Sequence, residues 1–100
     1  MEESATIHVK KEMGLPHKEI FRLIPMVFGE KEFQISGTQI SSSENGKSLL
    51  IQLSEQGVRA IGPTIKVPVT FVNFEFNGYS EAEKADFMEI FDLYFLKAGG

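Results

Sequence analysis

The sequence has no cysteine and no tryptophan, and only two histidines and four prolines among its 100 residues. Without thiols there can be no disulfide staple, cysteine nucleophile, thiolate-ligated zinc or iron–sulfur cluster. A zinc site needs three or four protein ligands, so His8 and His17 would have to recruit distant carboxylates. No metal site is expected, and both imidazoles are expected in solvent. Long apolar runs are also missing, since no stretch approaches the ~20 residues of a membrane-spanning helix. The opening Met1-Glu2-Glu3-Ser4 is acidic, whereas a secretory signal is basic and then apolar. The expected location is therefore cytoplasmic. Basic residues are the minority, 10 against 14 acidic, for a net charge of −4. They are scattered singly apart from Lys10-Lys11, whereas binding a nucleic-acid backbone requires a clustered cationic surface. The sequence contains neither a G-x-G-x-x-G dinucleotide fingerprint nor a G-x-S-x-G nucleophile elbow.

Nine phenylalanines are present, within a hydrophobic content of 42%. A chain of this length supports one core with a radius of gyration of roughly 13 Å, so a single domain is expected, ordered from about residue 5 to about residue 97. Charge is distributed unevenly. Residues 1–66 hold eight basic and eight acidic side chains, while residues 67–100 hold two and six.

Apolar periodicity divides the chain into elements. Ala5, Ile7 and Val9 alternate with Thr6, His8 and Lys10, the period of a strand, which Met13-Gly14-Leu15 should interrupt. Pro16 suits the first turn of a helix, and Ile20, Leu23, Ile24, Val27 and Phe28 recur at helical spacing up to Gly29. Pro25 removes one donor and should kink this helix or end its regular part early. A period of two returns at Phe33 and Ile35, at Ile40, and at Leu49, Ile51 and Leu53. Between the last two segments Asn45-Gly46 predicts a type I′ hairpin turn. Gln56 to Pro63 reads as an irregular connection. Ile65 to Phe76 then reads as a long strand whose apolar parity shifts near Phe71, as a bulge there would produce. Pro68 places the start of that strand at a sheet edge. Finally, Ser80 and Glu83 form a capping box ahead of a helix with Phe87, Ile90, Phe91, Tyr94 and Phe95 on its apolar face.

The expected fold is α+β, β-α-β-β-β(-β)-α, with a single antiparallel sheet and two helices packed on it. Phe33, Phe74, Phe76, Phe87, Phe91, Ile7, Val9, Ile51 and Leu23 are expected to form the core. This order of elements resembles one repeat of the TATA-box-binding-protein-like fold. In addition, Gly78-Tyr79-Ser80-Glu81-Ala82-Glu83, followed by Phe91-Asp92-Leu93-Tyr94-Phe95 and terminal glycines, resembles the end of a small bacterial protein family that carries no assigned activity. This second resemblance covers about the last quarter of the chain and implies no chemistry.

Four features bear on function. Ser41 to Ser48 ends in Gly-Lys-Ser like a phosphate-binding loop, but position 41 is Ser where that motif needs Gly, and a strand follows where it needs a helix. The hairpin reading takes precedence. The carboxylates of the last helix, Asp86, Glu89 and Asp92 among them, follow the spacing of a solvated face and lack the contrasting environments of an acid/base pair. In the 56–63 loop Arg59 stands among apolar residues, where a guanidinium fork can clamp a carboxylate or phosphate. Arg59, with His17, is thus a candidate ligand-binding residue, and solvent exposure of Arg59 is the simpler alternative. The terminal Gly99-Gly100 resembles the tail of ubiquitin-like and sulfur-carrier proteins, although those tails leave a strand and this one follows a helix. A helix C-cap and frayed end explain the same glycines.

None of these features amounts to a catalytic constellation, and no cofactor is implied. The expected function is that of a small non-enzymatic binding or accessory module with a protein partner or homodimer, and without nucleic acid or membrane. Met88, Leu93 and Leu96 widen the apolar arc of the last helix beyond what one sheet covers, leaving a patch for association. The alternatives are a Gly-Gly carrier and an enzyme or anion site at the 56–63 loop.

Overall fold

A computed structural model describes residues 6–97, with side chains through Phe95. The strands are β1 (Ile7–Met13), β2 (Gln34–Ser36), β3 (Gln39–Glu44), β4 (Lys47–Leu53), β5 (Gly57–Ala60) and β6 (Lys66–Asn77), and the helices are α1 (His17–Phe28) and α2 (Glu81–Lys97). The sheet is antiparallel throughout, in the order β1-β6-β4-β3-β2, with β5 pairing the first part of β6. The α+β architecture matches the pattern in the sequence, and five strands rather than three or four separate the two helices.

β6 is the spine of the sheet because it meets three other strands. Ile7 and Leu49 flank Phe76, Val9 and Ile51 flank Phe74, and Lys11 and Leu53 flank Val72. These residues share the face that the helices cover, where Val72, Phe74, Phe76, Leu49, Ile51 and Leu53 are buried. Asn73 and Glu75 alternate onto the uncovered face together with His8, Lys10, Leu50 and Gln52. Each large apolar side chain fully removed from water contributes about 1.5–3 kcal/mol.

No bulge interrupts β6 at Phe71, because its register with β1 is continuous from Ile7↔Phe76 to Met13↔Thr70. The parity shift instead marks a strand with apolar residues on both faces. Val67, Val69 and Phe71 lie on the uncovered face, and Phe71 is 37% exposed. The irregularity belongs to the opposite strand line, where residues 54–56 span the gap between β4 and β5. There the Ser54 N–H donates to the Phe71 carbonyl at 2.8 Å, and the Phe71 N–H donates to Ser54 Oγ at 2.9 Å. A serine side chain thus replaces one rung of the ladder.

Two further expectations need correction. The 56–63 stretch is not an irregular loop: Gly57–Ala60 forms β5, whose pairing carries Val69 and Val67 opposite Gly57 and Arg59. β1 continues through Met13, which is buried together with Leu15. Thr70, the one buried polar residue among those described, donates its hydroxyl to the Leu15 carbonyl at 2.9 Å and so fastens the chain between β1 and α1 to the sheet.

The apolar face of α1 buries Ile20, Leu23, Ile24, Val27 and Phe28. Pro25 lies on its exposed side, and the helix continues past it for three residues. Gly29 then closes it at φ 63° by donating its N–H to the Pro25 carbonyl at 3.0 Å. The capping box of α2 forms as the sequence indicates, with Glu83 N–H to Ser80 Oγ at 3.1 Å and Ser80 N–H to Glu83 Oε1 at 2.9 Å. Phe91 and Phe95 are buried beneath α2, whereas Ile7, Val9, Phe33 and Phe87, assigned to the core from sequence, are only partly buried against it. The core also takes in Ile40 and Val72.

Candidate docking groove

α1 and α2 lie side by side on the sheet but do not close over it completely. The C-terminal turns of α1 and one flank of α2 border a groove of about 610 Å³. Met26, Ile90, Leu93 and Tyr94 are exposed along it, and Leu93 reaches 53%. The spacing explains why. Phe87, Phe91 and Phe95 use the strip of α2 that faces the sheet, so Ile90, Leu93 and Tyr94 turn toward the neighbouring helix, where the chain supplies too little to cover them. An aromatic wall forms the groove floor: Phe87 sits 5.7 Å from Phe28 and 5.8 Å from Phe76, ring centre to ring centre.

A polar cluster closes one end. The Asn45-Gly46 turn, with φ of 50° and 78°, delivers Lys47 toward the start of α2. Lys47 Nζ lies 3.1 Å from Glu83 Oε2 and 5.2 Å from the centre of the Tyr79 ring. Glu83 therefore serves two partners, its other oxygen being the acceptor of the capping box. These bonds fix the titration behaviour. The Ser80 backbone N–H and then the Lys47 ammonium hold the Glu83 carboxyl below the usual glutamate range. The hydrogen bond to Glu83 raises the Lys47 ammonium, and burial raises the Tyr79 phenol. Because the folded-state value of Glu83 is depressed, its contribution to stability is present above the ordinary glutamate value and is lost as pH falls through the folded one. Glu83→Gln retains a capping amide but cannot titrate. In urea denaturation it is expected to be less stable than the native protein at neutral pH, with the gap narrowing as pH falls below the ordinary glutamate value. A gap of constant size across that range would refute the assignment.

The ligand candidates taken from the sequence lie apart from this groove. Arg59, on β5, is ion-paired with Glu12 of β1 on the uncovered sheet face, so its guanidinium already holds a carboxylate of its own chain. His17 is not in free solvent. It is partly buried, its Nε2 lies 2.7 Å from the Ser54 carbonyl, and its backbone N–H donates to Gln56 Oε1 at 2.9 Å, which ties the start of α1 to the β4–β5 connection. His8 is exposed beside Glu75. Gly99 and Gly100 lie outside the described residues, as does the Leu96 side chain. Of the patch expected from Met88, Leu93 and Leu96, Leu93 belongs to the groove, while Met88 packs partly buried against the core. Sequence reasoning placed Ile90 and Tyr94 on the apolar face of the last helix without marking them as uncovered and gave Met26 no role, although its place beside Val27 and Phe28 was the available signal.

Among the described residues no group of three or more His, Cys, Asp or Glu side chains could hold a metal ion, and no helix is long and apolar enough to cross a membrane. The chain matches no protein-family model, no curated protein and no solved structure.

Proposed function

We propose that this protein is a small non-enzymatic binding or accessory module that acts in the cytoplasm through protein–protein contact, with the interhelical groove as its receiving surface. The observation that carries the reading is the row of Met26, Ile90, Leu93 and Tyr94, a contiguous set of large apolar side chains exposed between two helices and bounded by charge at one end. Exposed apolar surface of this kind, rimmed by polar groups, is characteristic of interaction sites. The titratable groups Lys47 and Glu83 at the groove's end are engaged with one another and with the cap of α2, and the apolar floor beside them suits docking. The likeness in element order to a TATA-box-binding-protein-like repeat is one of architecture, and architecture assigns no partner. The net charge of −4 opposes a polyanionic one.

A photocrosslinking amino acid at position 90 tests the reading in living cells. The expected result is a discrete protein adduct, identified by mass spectrometry, that does not form when the same group is placed at Gln39 on the uncovered sheet face. Failure to trap any protein from position 90, a second copy of the chain included, would overturn it.

A further inference from the structure

We propose that the protein filling the groove is a second copy of this chain, and that two copies exchange the hairpin arm formed by β5 and the start of β6. This inference rests on the docking reading above and names its partner.

The arm leaves the body of the sheet because its neighbours stop short. β1 ends opposite Thr70 and β4 opposite Val72, so among the described residues Lys66–Val69 has β5 as its only strand partner. The Ile61 N–H donates to the Ile65 carbonyl at 2.7 Å, which puts the odd-numbered residues in the hydrogen-bonded register and turns the missing donor of Pro68 toward the open edge. That edge is poorly suited to strand addition, so the arm must associate through its side chains. It is rich in them: Val58 is 65% exposed, and Ile61 and Ile65 are exposed at the tip.

Charge selects the match. Residues 57–69 carry Arg59 and Lys66 and no acidic side chain, in a protein whose net charge is −4. Lys31, Lys47, Glu83 and Asp86 line the groove, but Lys31 pairs with Glu44 and Lys47 with Glu83. Among the described residues Asp86 is therefore the lining charge without an ion-pair partner, and Lys66 on the arm has none either. An apolar arm with a free cation thus complements an apolar groove with a free carboxylate.

Topology closes the assembly. The arm extends from the first residues of β6, where β5 holds it, whereas the groove end formed by Lys47 and Tyr79 lies beyond the last, twelve strand residues away. The arm thus runs away from the groove of its own copy. Two copies lying antiparallel satisfy both arms and both grooves at once, under a twofold axis that leaves no open end for a filament.

The absence of native cysteine makes the test clean. Single variants Ile65→Cys and Leu93→Cys, mixed in equal amounts and oxidised, are expected to give mainly the mixed 65–93 disulfide dimer. Ile65→Asp and Leu93→Asp, each folded by circular dichroism, are each expected to raise the dimer dissociation constant at least about tenfold. Mixing these two should partly restore association, since one native arm then meets one native groove, an outcome that simple destabilisation does not produce. A dimer that forms only 65–65 or 93–93 bonds would overturn arm exchange. So would a protein that stays monomeric to high micromolar concentration while position 90 captures a different protein, and in that case the docking reading would survive.

Discussion

Replacing Phe91 with alanine is expected to remove about 3–5 kcal/mol of unfolding free energy, a large part of the roughly 5–15 kcal/mol that a domain of this size possesses. The Phe91 side chain is 0% exposed. It meets Phe74 edge-on at 4.9 Å and 89°, and stacks on Phe95 at 4.1 Å and 10°. Phe74 is fixed by its strand and Phe95 by its helix, so neither can move into the space a truncation leaves, and the cavity term adds to the lost transfer energy. Phe71→Ala is the matched control. Its ring lies on the uncovered face beneath Lys10 Nζ, 5.1 Å from the ring centre, and its loss should cost under about 1 kcal/mol. Urea denaturation of the two variants checks the pair. Comparable losses would mean that the two sheet faces are not differently covered.

The second large effect is expected at Gly78, in the turn between β6 and α2. Its φ is +80°, and a β-carbon built there would come within 2.9 Å of the Gly46 carbonyl oxygen and 3.4 Å of Lys47 Cα. Both obstacles are backbone of a hairpin turn whose own dihedrals are fixed, so neither can yield as a flexible side chain would. Gly78→Ala should cost about 2–3 kcal/mol, from left-handed backbone strain together with the clash. Gly29→Ala, at φ +63° and ψ −119° with open space around it, carries backbone strain without the clash and should cost less, about 1–2 kcal/mol. The crowding also bears on the groove, because displacing the Asn45-Gly46 turn pulls Lys47 away from Glu83 and Tyr79. With no tryptophan and only two tyrosines in the chain, tyrosine fluorescence can follow that displacement. Equal losses at the two glycines would show that the turns are not in close contact.

The elements whose residues carry local information were legible before the fold was known. Asn45-Gly46 encodes its turn through the two positive φ values it permits, and Ser80 with Glu83 encodes the start of α2, because in both cases the determining contacts lie within four residues. Non-local determinants were hidden. The Val67, Val69 and Phe71 series looked like a shift in register because sequence does not reveal that one strand has apolar residues on both faces. β5 was hidden because two glycines and a proline around Arg59 outweighed a four-residue pairing that only β6 makes visible. His17 carries no sign of its carbonyl partner on Ser54, thirty-seven residues away. The groove was half legible. The width of the apolar arc on α2 indicated that something would stay uncovered, but which residues those are depends on how closely α1 approaches, a packing outcome with no local code.

The position of β1 at the sheet edge sets an order of events during synthesis. Its strand partners on β6 lie roughly sixty residues further along the chain. At about 5–20 residues per second, β1 leaves the ribosome several seconds before the backbone that will satisfy its donors and acceptors exists. The β3–β4 hairpin can close at once, but the spine that joins it to β1 is made after every other strand described in the sheet. Formation of the sheet is therefore a late, long-range closure, the slow class of folding reaction, and β1, translated well before its partner, is among the last strands to be fastened.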